Sequence, residues 1–141
     1  MKIHSEQEML EFGESFAKKI NSTSSSVVIE LIGDVGVGKT TFVRGLAKGL
    51  KVKEPVTSPS FTISKVYALK NGENLVHYDF YRLENPGIMA EDLAENLENP
   101  KNIVVIEWGE TITDVLPKDR MVVSIKYNDD NTRTIKNETL S

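Results

Sequence analysis

The sequence predicts an α/β domain in which helices cover both faces of a mixed, mainly parallel sheet that includes a β-hairpin. Three apolar runs, VVIELI (27–32), NIVVIEW (102–108) and MVVSIKY (121–127), have the β-branched, non-alternating composition of strands buried on both faces. Between the first two runs, apolar residues recur at helical spacing. On either side of Asn71-Gly72, apolar and polar residues alternate, which predicts the hairpin. This order of strands and helices is typical of a three-layer sandwich.

In the N-terminal half, Ser5 and Glu8 have the S-x-x-E form of a capping box, so the first helix is predicted to begin after Ser5. Its inner face repeats every three to four residues, with Met9, Phe12, Phe16 and Ile20. NSTSSS (21–26) reads as a loop. A second helix is predicted from Thr40 to Leu50, and its inner face comprises Phe42 or Val43, Leu46 and Leu50.

In the C-terminal half, FTISKVYAL (61–69) and NLVHYDFY (74–81) form the two arms of the predicted hairpin. Asn85 followed by Pro86 resembles a helix start. The inner face of that helix would comprise Ala90, Leu93, Ala94 and Leu97. The last residues, with Arg133 and Ile135, are predicted to form an edge strand.

Length and composition restrict the classes of protein that the chain can be. With 141 residues and 39% hydrophobic residues, we expect one domain over residues 1–141. The net charge of -4 provides no global positive field for a nucleic acid, so any contact with RNA is expected to be local or to go through a partner. Cysteine is absent, which excludes disulfides and thiolate zinc sites. MKIHSEQEML lacks a signal-peptide core and no stretch has the roughly 20 apolar residues of a membrane span, so a cytoplasmic protein without a membrane association is expected.

The strongest motif lies directly after the first buried run. Gly33, Gly38, Lys39 and Thr40 satisfy G-x-x-x-x-G-K-[ST], the Walker A pattern of P-loop proteins. Glycines let successive backbone N–H groups face phosphate oxygens, and the following helix adds the positive end of its dipole. The strand before the motif and the helix after it are the context that the motif requires. The sequence therefore predicts a P-loop NTPase-like fold with a nucleotide at this turn.

Each predicted ligand of the nucleotide follows from this motif. Lys39 would bridge the outer phosphates, and the Thr40 hydroxyl would bind Mg²⁺. A second magnesium ligand is usually an acid at the end of a neighbouring apolar run, and Glu107 ends IVVIE. The predicted phosphate-binding residues are Gly33, Asp34, Gly36, Val37, Gly38, Lys39, Thr40 and Thr41. As a loop lysine, Lys39 is expected to be solvated and to contribute little to the core.

Two classes of P-loop protein are disfavoured because the chain lacks residues that they require. A nucleotide kinase would need a lid with several arginines, whereas the four arginines here are scattered. A regulatory GTPase would need N-K-x-D or T-K-x-D to read guanine, and neither tetrapeptide occurs. An adenine nucleotide, ATP, is therefore favoured over a guanine nucleotide.

Three further segments accompany GDVGVGKTT (33–41), namely VTSPSF (56–61), HYDFYR (77–82) and IEWGE (106–110). With these four segments in this order, the chain resembles the TsaE (formerly YjeE) family of small bacterial ATPases, which support formation of threonylcarbamoyladenosine next to the anticodon of transfer RNA. The first segment is common to many P-loop proteins, whereas the other three together are specific. The resemblance covers nearly the whole chain and weakens after about Asp129.

The resemblance implies an Mg²⁺-dependent ATPase that acts on a TsaB/TsaD-type partner pair and reaches tRNA only through it. It implies a phosphate-sensing loop with Ser58, and it places Glu6 near the adenine and Arg133 near the nucleotide. Asp79, with His77 on the same strand face, would orient the attacking water, and the alternative is a cross-strand polar cluster. The predicted catalytic residues are thus Lys39, Asp79 and Glu107.

Two other functions use the same phosphate site. One is a P-loop kinase of a small metabolite, and the other is a non-catalytic module whose binding depends on nucleotide. The motif contains no arginine finger, a group worth about 10³ to 10⁵ in rate, so hydrolysis by the isolated protein is expected to be slow. Trp108, the single tryptophan, follows Glu107 and would stack in the site, dock a partner or fill a gap beside the sheet.

Overall fold

The structure is a computed structural model that describes residues 1–20, 27–34, 36–57, 64–81 and 87–139. Three α-helices and seven strands lie within these ranges. The helices are α1 (Glu6–Lys19), α2 (Lys39–Gly49) and α3 (Gly87–Glu98). The strands are β1 (Lys2–Ile3), β2 (Val27–Ile32), β3 (Ser64–Ala68), β4 (Asn74–Asp79), β5 (Asn102–Glu107), β6 (Met121–Tyr127) and β7 (Arg133–Thr139).

The strands of the described part of the chain form one mixed sheet in the order β1-β7-β6-β2-β5-β4-β3. The four central strands, β6, β2, β5 and β4, are parallel to one another. Antiparallel pairs complete both edges, with β3 against β4 on one side and β7 and β1 beyond β6 on the other. The carboxyl ends of the parallel strands therefore meet at one edge of the sheet, where open α/β sheets bind ligands.

Helices cover both faces of the sheet, which gives three layers. On one face, α1 and α2 pack on β2, β5 and β6 through a cluster that includes Phe16, Phe42 and Leu46. On the other face, α3 packs on β4 and β5, with Leu93 fully buried. This architecture confirms the predicted α/β fold with a mainly parallel sheet. Over the described residues, no helix combines the length and the hydrophobicity needed to cross a bilayer.

Local sequence signals placed most of these elements correctly. The Ser5 hydroxyl accepts a hydrogen bond from the Glu8 N–H, as a capping box requires, while the Glu8 carboxylate accepts from the N–H of His4. The hairpin turn is a short 3₁₀ segment, Lys70–Gly72, in which Gly72 has a positive φ of 76°. The predicted starts of the hairpin (61–63) and of the third helix (85–86), and the loop at 21–26, lie outside the described residues.

The prediction that the C-terminal strand lies at the sheet edge was wrong in one respect. The two-residue strand β1 pairs with β7 and forms the edge itself. The N–H of Ile135 donates to the carbonyl of Met1, and the terminal ammonium of Met1 donates to the carbonyl of Ile135. Two residues are too few for a periodic pattern, so β1 could not be predicted from the sequence.

Helices α1 and α2 approach so closely that their contact requires glycine. A Cβ atom at Gly13 would lie 2.4 Å from the carbonyl oxygen of Phe42, and one at Gly45 would lie 2.2 Å from the carbonyl oxygen of Leu10. Both clashes involve backbone atoms, which cannot move without separating the two helices. Because α2 begins in the Walker A motif, this contact also holds the motif against α1.

We therefore expect Gly45→Ala to lower the free energy of unfolding by ~1–3 kcal/mol, because the new methyl group overpacks the helix contact. Helix propensity alone favours the opposite sign, since alanine exceeds glycine by about 1 kcal/mol in a helix interior. Urea denaturation of Gly45→Ala beside the exposed control Lys48→Ala measures the difference. A stability equal to or above wild type for Gly45→Ala would contradict the close contact.

Candidate functional site

The Walker A turn connects the end of β2 to α2, and two of its described glycines have a left-handed backbone. Gly36 and Gly38 have positive φ values of 79° and 117°, which side chains rarely tolerate. A Cβ atom at Gly36 would have nothing within 4 Å, so this side of the turn is open. Gly38 precedes α2 and has no side chain with which to cap the helix. The first N–H groups of α2 are therefore available to an anion.

Lys39 is buried, which corrects the expectation of a solvated lysine. Its side chain is packed so that the residue is only 5% exposed, and its ammonium donates to the carbonyl of Gly33 over 2.6 Å. The same ammonium lies 3.8 Å from the centre of the Trp108 ring, a cation–π contact. The charged group is thus held at the turn by a backbone oxygen and an aromatic face, neither of which neutralises it.

Glu107 and His77 form a buried pair on the strands beside β2. The imidazole Nε2 of His77 lies 2.5 Å from Oε2 of Glu107, and the two residues are 0% and 4% exposed. An ionised carboxylate has no proton to give, so Nε2 of His77 donates. His77 therefore fixes the orientation of the acid that was predicted to bind magnesium. Among the described residues, Nδ1 of His77 is a buried nitrogen without a hydrogen-bond partner.

Asp79 lies directly beside Glu107 in the parallel register of β4 and β5. Its Oδ1 accepts a hydrogen bond from the N–H of Tyr81 over 3.0 Å. Burial raises the pKa of the Asp79 carboxyl, and the charge of Glu107 adds to the rise, while the Tyr81 hydrogen bond and the charges of His77 and Lys39 oppose it. A carboxylate with a raised pKa is a stronger proton acceptor than an ordinary aspartate.

The charges around Lys39 are predominantly negative. Burial lowers the pKa of the Lys39 ammonium, whereas the charges of Glu107, Asp79, Glu110 and Asp34 act to raise it. Four carboxylates thus surround one ammonium, two at the ends of β4 and β5 and two in the segments that follow β2 and β5. A bare polyphosphate would be repelled by these acids, whereas a complex of phosphate with a divalent cation would not.

Trp108 and Tyr81 form an aromatic pair next to Lys39. Trp108 has a left-handed backbone with φ 58°, which turns the chain immediately after β5. The ring centres of the two residues are 4.9 Å apart, and Tyr81 is 42% exposed. The structure thus favours the prediction that Trp108 stacks in the site, since one face of its ring covers the Lys39 ammonium.

A second group of residues, which the sequence did not predict as a unit, contacts the turn from the opposite side. The hydroxyl of Tyr127 donates to the carbonyl of Gly36 over 2.7 Å. The Arg133 guanidinium donates from Nη2 to the Tyr127 hydroxyl over 3.0 Å and lies 4.7 Å from the centre of its ring. Arg133 therefore lies next to Tyr127 beside the loop, its predicted place near the nucleotide stays a prediction, and Tyr127 is the residue that sequence reasoning missed.

The remaining predicted site residues differ in how far they are exposed to solvent. Thr40 and Thr41 begin α2 and are half-buried, and Asp34 is exposed. The side chain of Val37 is buried in the core, and its N–H donates to the carbonyl of Asp34 over 3.2 Å. Glu6 is exposed in the first turn of α1. Val35 and Ser58 lie outside the described residues, so the prediction for Ser58 stays a prediction.

A magnesium ion at this site would have to arrive with its phosphates. Within the described ranges, no group of three or more histidine and carboxylate side chains is arranged to hold a metal ion. Mg²⁺ prefers one or two protein oxygens together with phosphate oxygens and water. Thr40 and Glu107 supply a hydroxyl and a carboxylate of that kind, and their role stays a prediction.

Comparison with known proteins identifies the family. The model of the family described as threonylcarbamoyl adenosine biosynthesis protein TsaE matches residues 3–135. A tRNA threonylcarbamoyladenosine biosynthesis protein TsaE from Streptomyces coelicolor is 39% identical over 118 residues, which are 83% of this chain and 78% of that protein. A protein of the same name from Haemophilus influenzae is 35% identical over 130 residues, which are 91% of this chain and 82% of that one.

A solved structure supports the same assignment. The crystal structure of Bacillus subtilis YdiB is similar with a TM-score of 0.76 and 29% sequence identity, over 99% of this chain and 83% of that chain. The similarity extends over the whole α/β fold and is not limited to the Walker A turn. The family match and these relatives together show that this chain belongs to the TsaE family.

Proposed function

We propose that this chain is an Mg²⁺-dependent ATPase that supports formation of threonylcarbamoyladenosine in tRNA by acting on a TsaB/TsaD-type partner pair. Residues 1–141 would act as one domain, since β1 and β7 join both ends of the described chain in a single sheet. The biosynthetic role follows from membership of the TsaE family. Binding and hydrolysis of ATP are argued from the site.

The open turn between β2 and α2 is the observation that carries the proposal. Its two positive-φ glycines, the uncapped first turn of α2 and the ammonium of Lys39 lie together at the carboxyl end of a central parallel strand. Backbone N–H groups with a nearby cation form a site for phosphate oxygens. Because the chain lacks a guanine-reading tetrapeptide, ATP is favoured over GTP as the nucleotide.

The residues at the ends of β4 and β5 supply the chemistry of hydrolysis. Oδ1 of Asp79 is held by the N–H of Tyr81, so Oδ2 is assigned to accept the proton of the attacking water. Lys39 and the loop N–H groups would stabilise charge on the transferred phosphoryl group. Mg²⁺ bound with the nucleotide would neutralise phosphate charge, with Thr40 and Glu107 as its protein ligands and His77 orienting Glu107 through Oε2.

The proposed partner dependence follows from the charges of the chain. The net charge of -4 and the cluster of acids at the site disfavour direct binding of the tRNA backbone. An arginine from a partner could also complete the site, because such a residue stabilises the transition state in related phosphoryl transfers. Slow ATP hydrolysis by the isolated chain, and faster hydrolysis in the presence of the partner pair, would fit both the indirect contact with tRNA and the arginine from a partner.

The variant Lys39→Ala should weaken binding of Mg-ATP by about 100-fold, because it removes a charge-assisted contact to the outer phosphates. The fold should persist, since the substitution gives up one hydrogen bond to a carbonyl and one aromatic contact while it relieves the burial of a charge. Isothermal titration calorimetry with Lys48→Ala, an exposed position of the same helix, as control measures the effect. Unchanged affinity in Lys39→Ala would contradict the site.

The variant Glu107→Gln should lower ATP hydrolysis in the presence of the partner pair by about 100-fold or more, because a carboxylate for Mg²⁺ is lost. Glu110→Gln removes the same charge from an exposed position nearby and should retain most activity. Release of labelled phosphate is measured for both variants and wild type. Label transferred to a small acceptor instead of water would identify a metabolite kinase, and equal inactivity of Glu107→Gln and wild type would indicate a non-catalytic module.

Binding of Mg-ATP should change the fluorescence of Trp108, because its ring contacts the Lys39 ammonium that would turn to the phosphates. Trp108 is the single tryptophan, so the signal needs no further variant for assignment. A titration of Lys39→Ala at the same nucleotide concentrations corrects for absorption by ATP. No fluorescence change at saturating nucleotide in wild type would place the Trp108 ring away from the phosphates.

A further inference from the structure

We propose that Tyr127 is a positioning residue that holds the Walker A turn in its nucleotide-binding conformation through the Gly36 carbonyl. Tyr127 is the last residue of β6, which lies beside β2 in the sheet, so its side chain reaches the loop from the side opposite Asp79 and Glu107. The effect on nucleotide affinity rests on the proposed function. The effect on the loop itself does not.

Two hydrogen bonds fix the peptide between Gly36 and Val37. The Tyr127 hydroxyl donates to the carbonyl of Gly36 over 2.7 Å, and the N–H of Val37 donates to the carbonyl of Asp34 over 3.2 Å. A trans peptide is planar, and its C=O and N–H point in opposite directions. The two bonds therefore hold one rigid plane from both sides. Gly36 itself is exposed and has positive φ, so it has no side chain of its own to restrain the turn at this point.

Arg133 gives the Tyr127 hydroxyl its direction. The two residues are partners in the antiparallel register of β6 and β7. Nη2 of Arg133 donates to the hydroxyl over 3.0 Å, so the hydroxyl accepts on that side and gives its proton to Gly36. A Cβ atom at Gly38 would lie 3.8 Å from Nε of Arg133. The strand pair therefore contacts the turn at Gly36, and a side chain at Gly38 would meet Arg133.

The exposure of the Tyr127 side chain argues against a role in packing the core. The residue is 48% exposed, so its ring contributes little to the hydrophobic core. What the hydroxyl provides is a restraint on glycines that would otherwise lose much conformational freedom when an anion binds. A turn that is already restrained binds phosphate at a lower entropic cost. Loss of the hydroxyl should therefore weaken binding and leave the fold unchanged.

Tyr127→Phe, which removes the hydroxyl alone, tests the inference in two measurements, with the exposed neighbour Lys126→Ala as control. Without nucleotide, hydrogen–deuterium exchange of the loop peptide 33–38 should be faster in Tyr127→Phe and unchanged in Lys126→Ala, while core peptides stay protected in both. With Mg-ATP, calorimetry should show about three- to tenfold weaker binding in Tyr127→Phe, the worth of one hydrogen bond. With the partner pair, KM should rise and kcat at saturating ATP should stay unchanged.

The outcomes distinguish this inference from the proposed function. Unchanged loop exchange in Tyr127→Phe would overturn the inference even if wild type binds ATP, and so would equal or tighter binding by the variant. If wild type binds no nucleotide, the proposed function fails and the claim about affinity fails with it. Faster loop exchange in that case would still show that Tyr127 restrains the turn.

Discussion

The register of the parallel strands β2, β5 and β4 is the constraint on which the site depends. Leu31 lies opposite Glu107, and Glu107 lies opposite Asp79, so the acids meet at the edge where β2 leads into the Walker A turn. A shift of one residue in either pairing would turn an acid to the opposite face of the sheet. The apolar residues of β5, buried on both faces, fix this register because any shift would expose them or misplace their contacts.

Two charged groups of the site lie where burial disfavours their charged forms. Burial lowers the pKa of the Lys39 ammonium, and burial together with Glu107 raises the pKa of the Asp79 carboxyl. In both groups the charged form is held where water solvates it poorly. Perturbed groups of this kind concentrate at functional sites, where a ligand that complements the charges recovers the cost. A phosphate for Lys39 and a cation for the acids are such ligands.

Much of the fold and part of the site could be predicted because the signals are local. The strand at 27–32, the cap at Ser5 and the Walker A residues each depend on neighbours in sequence, and Glu107 was found because it ends an apolar run. Tyr127 could not be found in this way, since only the adjacency of β6 and β2 brings it to Gly36. The burial of Lys39 likewise depends on the left-handed turn at Trp108, which no residue pattern indicated.

The residues on the two sides of the Walker A turn differ in chemistry. In the proposed reaction, one side would therefore affect mainly the affinity for the nucleotide and the other mainly the rate of hydrolysis. The side formed by β4 and β5 carries Asp79 and Glu107, whose charges can act on a proton or a cation. The side formed by β6 and β7 carries Tyr127, which donates to the carbonyl of Gly36, and Arg133, which donates to the Tyr127 hydroxyl. Carboxylates can accept a proton or bind a cation, whereas these donors hold a loop carbonyl in place. In the proposed reaction, the β6–β7 side would therefore hold the turn constant while the β4–β5 side would carry out the chemistry.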